Sequence, residues 1–407
     1  MSQLLQLTVV GLLGFALVMV HSAGMTVDGG PLEPTAFLKS RYTVHATLAI
    51  AAMLIASRFN VRELFRARGW KNPLLWMLLV TIGLLALTLA PGVGLTFNGA
   101  TRWLRLGPRG WGLTFQPSEV AKWSLVLCIA CWCARRGDLM RRFLRGYLPV
   151  AFLLGAICLL IALSDLGTAL LIGVVGVCLL LAGGARWWHV LPPLPLAAGA
   201  AVIYVIQTPF RLARLTAFMD PWADPRGAGY HPIQSMLAIA HGGLTGRGLG
   251  NGVQKFGYLP EDTSDFLFAV ICEELGIGGA VLVVAMFAVL LGAGLQVLCN
   301  CRDLFGRLVA LGILLTIGIQ ALINIAVVTV IVPTKGIALP LLSAGGTGWV
   351  LTAAAIGLLA ALDEANRIEA GEDSAFRRQE THLVEAGGVV SNMPGVPPGS
   401  AGGAHVK

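Results

Sequence analysis

Ten apolar stretches recur along the chain, near residues 4–20, 38–57, 73–92, 118–134, 147–163, 166–183, 190–206, 276–299, 308–330 and 345–362. Crossing a hydrocarbon core of about 30 Å takes about 20 helical residues. In lipid only helices and closed barrels satisfy their own backbone groups. Several runs fall short of that length, and flanking Lys, Arg, Trp and Tyr can reach the headgroups to make it up. Charged residues make up 12% of the chain and hydrophobic ones 56%, whereas an ordinary soluble domain carries about 25% charged residues. Too little polar surface remains to cover a water-soluble globule. The expected fold is an all-α polytopic membrane protein of about ten transmembrane helices.

The formal charge of +8 does not point to nucleic acid, because the basic residues gather in short connectors beside apolar runs. Arg58, Arg62, Arg66, Arg68 and Lys71 fill one connector, and Arg135, Arg136, Arg141, Arg142 and Arg145 another. Arg186 follows the sixth run; Arg302 and Arg307 follow the eighth. With ten spans all of these lie on one side, which their charge marks as cytoplasmic. Both termini then face the cytoplasm, and the loops at 21–37, 93–117, 207–275 and 331–344 face outward. The run 147–183 is broken by Ser164, Asp165 and Gly167 and reads as two spans with a tight outer hairpin. The first run lacks a cationic flank and a convincing cleavage site, so it is expected to be retained. Residues 1–365 form the membrane domain, and 366–407, polar and then rich in Gly and Pro, read as a disordered cytoplasmic tail. The eight cysteines lie in apolar runs or at their cytoplasmic ends and imply no disulfide framework.

The outer loop at 207–275 is the part large enough to build a site. Arg211 and Arg214 are three apart, so a helix presents both on one face. The glycine-rich GGLTGRGLGNG is not a phosphate-binding Walker loop, because no Gly-Lys-Ser/Thr follows it. Glu261, Asp262 and Asp265 stand immediately before the next apolar helix. Asp265 precedes Phe266, where water gives way to protein or lipid. Lost hydration raises a carboxyl pKa and makes a better proton acceptor; the alternative is a helix cap. Glu119 with Lys122, Asp165, Glu273, Glu274, Gln320, Asn324 and Lys335 lie at membrane depth or its edge, where ionisable groups are costly.

Seven blocks occur in order: FLKSRY at 37–42, NGATRWLRLG at 98–107, FQPSEVAK at 115–122, SDLGTAL at 164–170, DPWADPRGAGYHPIQS at 220–235, GLGNGVQKFGYLPEDTSDFLFAVICEELG at 248–276 and PTKGIALPLLSAGG at 333–346. Over residues 5–365 the chain resembles the SEDS (shape, elongation, division and sporulation) glycosyltransferases. DPW at 220–222 and GLGNGVQK at 248–255 are closer to the division branch than to the elongation branch.

The resemblance implies a ten-helix fold that polymerises lipid II into β-1,4-linked peptidoglycan strands, releasing undecaprenyl pyrophosphate with inversion. It places the catalytic aspartate on Asp265 and an essential glutamate on Glu261. It makes Arg102, Trp103, Glu119, Lys122 and Lys335 candidate substrate-binding residues, and Arg211, Arg214 and Lys255 join them as basic groups on the outer side. No cofactor is required by the pattern; a divalent cation (Mg or Mn) held by Asp265 and Glu261 stays open. The partners it implies are lipid II, a class B penicillin-binding protein acting as transpeptidase, other division proteins and membrane lipid, at the septum of the cytoplasmic (inner) membrane. A lipid II flippase, a division scaffold, and the same polymerase serving elongation are the alternatives. Ser164 replaces the family's Pro and Ala344 its Tyr, and the second Asn usual after Asn324 is replaced in NIAVVTVIVPTKG.

Overall fold

A computed structural model describes residues 1–25, 40–67, 69–90, 94–97, 100–105 and 114–391. A helix occupies each of the ten intervals read from sequence. They are α1 (Ser2–Ala23), α2 (Arg41–Ser57), α3 (Pro73–Leu89), α4 (Pro117–Arg136), α5 (Leu148–Ala162), α6 (Leu166–Ala182), α7 (Pro193–Ile206), α10 (Leu267–Asn300), α11 (Leu304–Val328) and α12 (Gly346–Ser391). Two further helices, α8 (Pro209–Met219) and α9 (Tyr230–Gly242), belong to the large loop. Among the described residues, six helical segments are long and apolar enough to cross a membrane, and α2, α3 and α6 are shorter apolar helices. The chain is an all-helical multi-span membrane protein with one local exception. Gly94–Phe97 (β1), Ala100–Arg105 (β2) and Thr114–Phe115 (β3) form a small antiparallel sheet in order β1-β2-β3, where the expectation was helix and loop alone.

Helix starts carry recognisable signals. Ser40, Asn72 and Asp303 each accept a hydrogen bond from a backbone N–H in the first turn of α2, α3 and α11, which satisfies donors a helix cannot pair internally. The interruption in 147–183 is the expected hairpin: Asp165 caps α6 through the N–H groups of Gly167 and Thr168. The basic connectors meet at one end of the bundle. Arg62 pairs with Asp303 at 2.9 Å, Arg135 donates to the Phe65 and Ala67 carbonyls, and Phe143 packs on His189.

At the opposite end α10 begins inside protein. Leu267–Leu275 precedes a break at Gly276 (φ 64°, ψ −156°), a backbone conformation that Cβ-bearing residues disfavour. The apolar run expected from 276 thus starts at that break. Before it, Glu273 and Glu274 are wholly buried and organise the glycine-rich loop. Val253 and Gln254 donate to Glu273 at 2.9 and 3.1 Å. Gly250 N–H, Ser22 Oγ and Lys255 Nζ all donate to Glu274. This lattice ties the glycine-rich loop to α1.

The chain divides into two compact units, Met1–Asp363 and Glu364–Lys407. In the second, described residues remain helical to Ser391, where a disordered tail was expected from 366. The stretch 364–386 is rich in Glu, Ala and Arg, which are good helix formers, and Arg367 pairs with Glu364 one turn away. Residues 392–407 lie outside the described residues.

Candidate active site

Five segments bring charged groups together: β2, the Ser164–Asp165 hairpin, α8, the loop before α10, and the loop between α11 and α12. The hairpin supplies an anchor. Besides capping α6, Asp165 accepts from Thr168 Oγ1 at 2.9 Å and is 4% exposed. Arg102 on β2 donates through Nε to the Ser164 carbonyl at 3.0 Å and lies 3.5 Å from Asp165. Lys335 crosses the start of α6 so closely that a Cβ on Gly167 would sit 2.5 Å from its Cε. Gly167 therefore makes room for the lysine.

Asp265 faces this anchor. Its Oδ2 would stand 2.6 Å from a Cβ at Gly336, the residue after Lys335. Loss of hydration, then the neighbouring Glu261 and Asp165 carboxylates, push the Asp265 carboxyl up to about 7, against the pull of Arg102 and Arg214. Lys335 is pushed down to about 8 by lost hydration, with Asp165 opposing and Arg211, Arg102 and Arg214 adding to the fall. Asp262 is raised to about 6, chiefly by lost hydration. One electrostatic field thus joins Asp265, Asp165, Glu261, Arg102, Arg211, Arg214 and Lys335.

Arg211 and Arg214 lie one turn apart on α8. Arg211 sits 4.0 Å over the Tyr204 ring and Arg214 4.3 Å over Phe210. One Arg211 terminal nitrogen is buried without a hydrogen-bond partner among the described residues. Glu261 is exposed and has φ 58°, a conformation that is uncommon outside glycine and clusters at functional sites. Its Oε2 accepts from Ser264 Oγ at 2.8 Å.

Other sequence-derived candidates lie apart. Lys122 donates to both Glu119 oxygens at 2.9 and 2.8 Å and to Gln320 at 2.9 Å. This pair belongs to the bundle interior, where Lys122 and not Asp265 reaches an apolar cavity between α4, α6 and α11. Lys255 has a side chain 0% exposed and is paired with Glu274 at 2.8 Å, so it is enclosed in the lattice under the glycine-rich loop. Trp103 follows Arg102 on β2 opposite Leu95, and alternation along a strand sends it to the other face.

Three residues gain a place that sequence did not assign. Asp165 was legible as a break in an apolar run, but its neighbours were not. Asn324 is 1% exposed and reaches Asp265 through the backbone. His231 on α9 stacks on Phe266, centroids 5.8 Å apart, with a buried Nδ1 that has no partner among the described residues. Lost hydration and Arg214 lower its pKa, against Glu261. No group of three or more His, Cys, Asp or Glu side chains is placed to hold a metal among the described residues.

A helical membrane bundle that sets a raised Asp265 carboxyl among four cations suits transfer chemistry on a substrate carrying negative charge. The chain belongs to the cell cycle protein family of FtsW, RodA and SpoVE, the SEDS family, which it matches over residues 3–368. It is 38% identical over 347 residues to a probable peptidoglycan glycosyltransferase FtsW of Geobacter sp. (strain M18), covering 85% of this chain and 92% of the relative. It is 41% identical over 361 residues to the FtsW of the same description from Thioalkalivibrio sulfidiphilus, covering 87% of each. The fold is similar to a chain solved in a peptidoglycan synthase complex that coordinates polymerization and crosslinking: TM-score 0.69, 25% identity, 89% of this chain and 97% of that one. It is also similar to the Thermus thermophilus rod shape determining protein RodA: TM-score 0.63, 25% identity, 89% and 96% covered.

Proposed function

We propose that this chain is an FtsW-like peptidoglycan glycosyltransferase that polymerises lipid II during septal wall synthesis, with Asp265 as its general base. The observation that carries the reading is the Asp265 carboxyl, seated against Gly336 and raised to about 7 by lost hydration, Glu261 and Asp165 against Arg102 and Arg214. A base poised near the working pH is both available and strong enough to take a hydroxyl proton.

The acceptor's GlcNAc 4-hydroxyl oxygen attacks the anomeric carbon of the donor MurNAc. The bond from that carbon to the pyrophosphate oxygen breaks, and its electron pair leaves with undecaprenyl pyrophosphate. Asp265 receives the hydroxyl proton. An α-linked donor gives a β-linked product, so one displacement suffices. Arg102, Arg211, Arg214 and Lys335 stabilise the charge growing on the leaving group, where fixed cations in a partly dehydrated site act most strongly. Glu261 raises the basicity of Asp265 by like-charge repulsion and orients the acceptor. Glu119 with Lys122 and Lys255 with Glu274 hold the fold that presents these groups.

The chain crosses the cytoplasmic membrane ten times with both termini inside, and its outer loop works beside a class B penicillin-binding protein that crosslinks the strands. Residues 1–365 carry the chemistry. Purified protein with labelled lipid II tests the reading: polymer supports it, translocation confined to vesicles identifies a flippase, and neither identifies a scaffold. Asp265→Asn keeps size and capping ability but cannot accept the proton, so turnover should fall by ~10²–10⁴. Wild-type turnover in folded Asp265→Asn protein would remove Asp265 from the role of base.

A further inference from the structure

Asp265 lies on a loop, and a loop does not hold a base to the fraction of an ångström that proton transfer demands. What fixes it comes from α11. Asn324 Nδ2 donates to the Asp265 carbonyl at 2.9 Å and to the Ile337 carbonyl at 2.7 Å. Its two N–H groups thus join the backbone that carries Asp265 to the backbone two residues beyond Lys335. A second strap runs between the same loops, since Ala344 N–H donates to the Thr263 carbonyl at 2.9 Å. One turn before Asn324, Gln320 donates to the Ala338 carbonyl at 2.9 Å and receives Lys122.

The straps work against backbones that would otherwise relax. Val330 and Leu341, on either side of the Lys335 loop, have φ 58° and 61°, and a β-branched residue at positive φ is a genuine outlier. Such conformations persist only where surrounding contacts over-determine them. Asn324 itself leaves Oδ1 buried without a partner among the described residues. A residue serving only to satisfy polar atoms in the bundle would not hold its amide that way. The orientation is set by the two carbonyls.

We propose that Asn324 is a positioning residue for Asp265, its amide clamping the loop of the base to the loop of Lys335. The proposal rests on the reading of Asp265 as general base. A misplacement of about 1 Å costs on the order of 10²-fold in rate, so the clamp is worth that much without touching substrate.

The test compares purified wild type, Asn324→Leu, Asp265→Asn and Thr316→Val with labelled lipid II, each corrected for folded fraction. Thr316 bonds only within α11, to the Gly312 carbonyl, and serves as the matched loss of a buried polar group. Asn324→Leu should lose about 10²-fold in kcat with KM within about twofold. The acid limb of its kcat profile should move below that of wild type, because a released Asp265 regains water and escapes Glu261 and Asp165, even as it leaves Arg102 and Arg214. Should Asn324→Leu fail to insert, Asn324→Ala removes both donors without added bulk or charge and should show the same two effects. An unmoved limb with loss matching Thr316→Val, or unchanged kcat, overturns the proposal. If Asp265→Asn is inactive and Asn324→Leu is not, only the clamp fails; if Asp265→Asn keeps wild-type turnover, the base and the clamp both fall.

Discussion

Asp265 Oδ2 lies against the backbone of Gly336, so close that a Cβ there would stand 2.6 Å away. The carboxylate is therefore seated against the Lys335 loop with no room for a side chain between. Gly336 does not have a positive φ, so alanine meets no backbone penalty and acts by steric displacement alone. Gly336→Ala should lower turnover about 10²-fold while the melting temperature of the purified protein stays near wild type. Equal loss of both would show that the residue serves folding.

The two perturbed groups set the pH dependence of the reaction. Asp265 works deprotonated, so activity should rise with pH through about 7. Lys335 works protonated, so activity should fall as pH passes about 8. Lys335→Arg keeps the charge well past that pH and should flatten the alkaline limb of kcat while the acid limb stays. An alkaline limb unchanged in Lys335→Arg would assign it to another group.

Stability should respond to Asp265 with a defined sign. Its folded pKa lies above the unfolded value, so the folded state holds the proton more tightly between about 4 and 7. Stability from this group is present below the unfolded value and is lost as pH rises through about 7. Asp265→Asn carries no such charge and should melt higher than wild type at pH 8, with the difference shrinking toward pH 5. A variant that melts lower at pH 8 would contradict the dehydrated environment.

Lys255 and Glu274 offer the opposite case, a buried pair enclosed under the glycine-rich loop. Removing one partner leaves a lone buried charge, which typically costs about 3–5 kcal/mol. Lys255→Met should destabilise strongly, and Glu274→Gln in the same chain should recover part of the loss. Per folded molecule, KM for lipid II should stay close to wild type; a large rise would return Lys255 to the substrate site.

The membrane helices were legible because lipid demands long apolar runs, and each of the ten intervals holds a helix. Asp165 showed itself by interrupting the apolar run 147–183. What sequence concealed was which charges meet. Lys255 and Lys335 look alike as basic residues near glycines, yet one is enclosed by Glu274 and the other lies across Gly167 at the start of α6. That difference depends on contacts between segments far apart in the chain. Asn324 was invisible as a site residue for the same reason: its partners, Asp265 and Ile337, are backbone carbonyls, which carry no sequence signature.

Asp165 and Glu261 both perturb the base, but only Asp165 also perturbs Lys335, and this separates them. Asp165 raises the Asp265 pKa as a like charge and raises that of Lys335 as an opposite one. Asp165→Asn retains a side chain that caps helices as well as aspartate does, so α6 should start where it does now. With the charge gone, both pKa values should fall, and the whole bell of kcat against pH should move toward acid. Glu261 acts on Asp265 and is absent from the influences on Lys335. Glu261→Gln should therefore move the acid limb down and leave the alkaline limb where it stands. Profiles measured on the purified variants with labelled lipid II decide the matter: two limbs shifting together in Asp165→Asn and one in Glu261→Gln is the expected pattern. If Asp165→Asn moved neither limb, the Ser164–Asp165 hairpin would be a structural turn outside the field of the base.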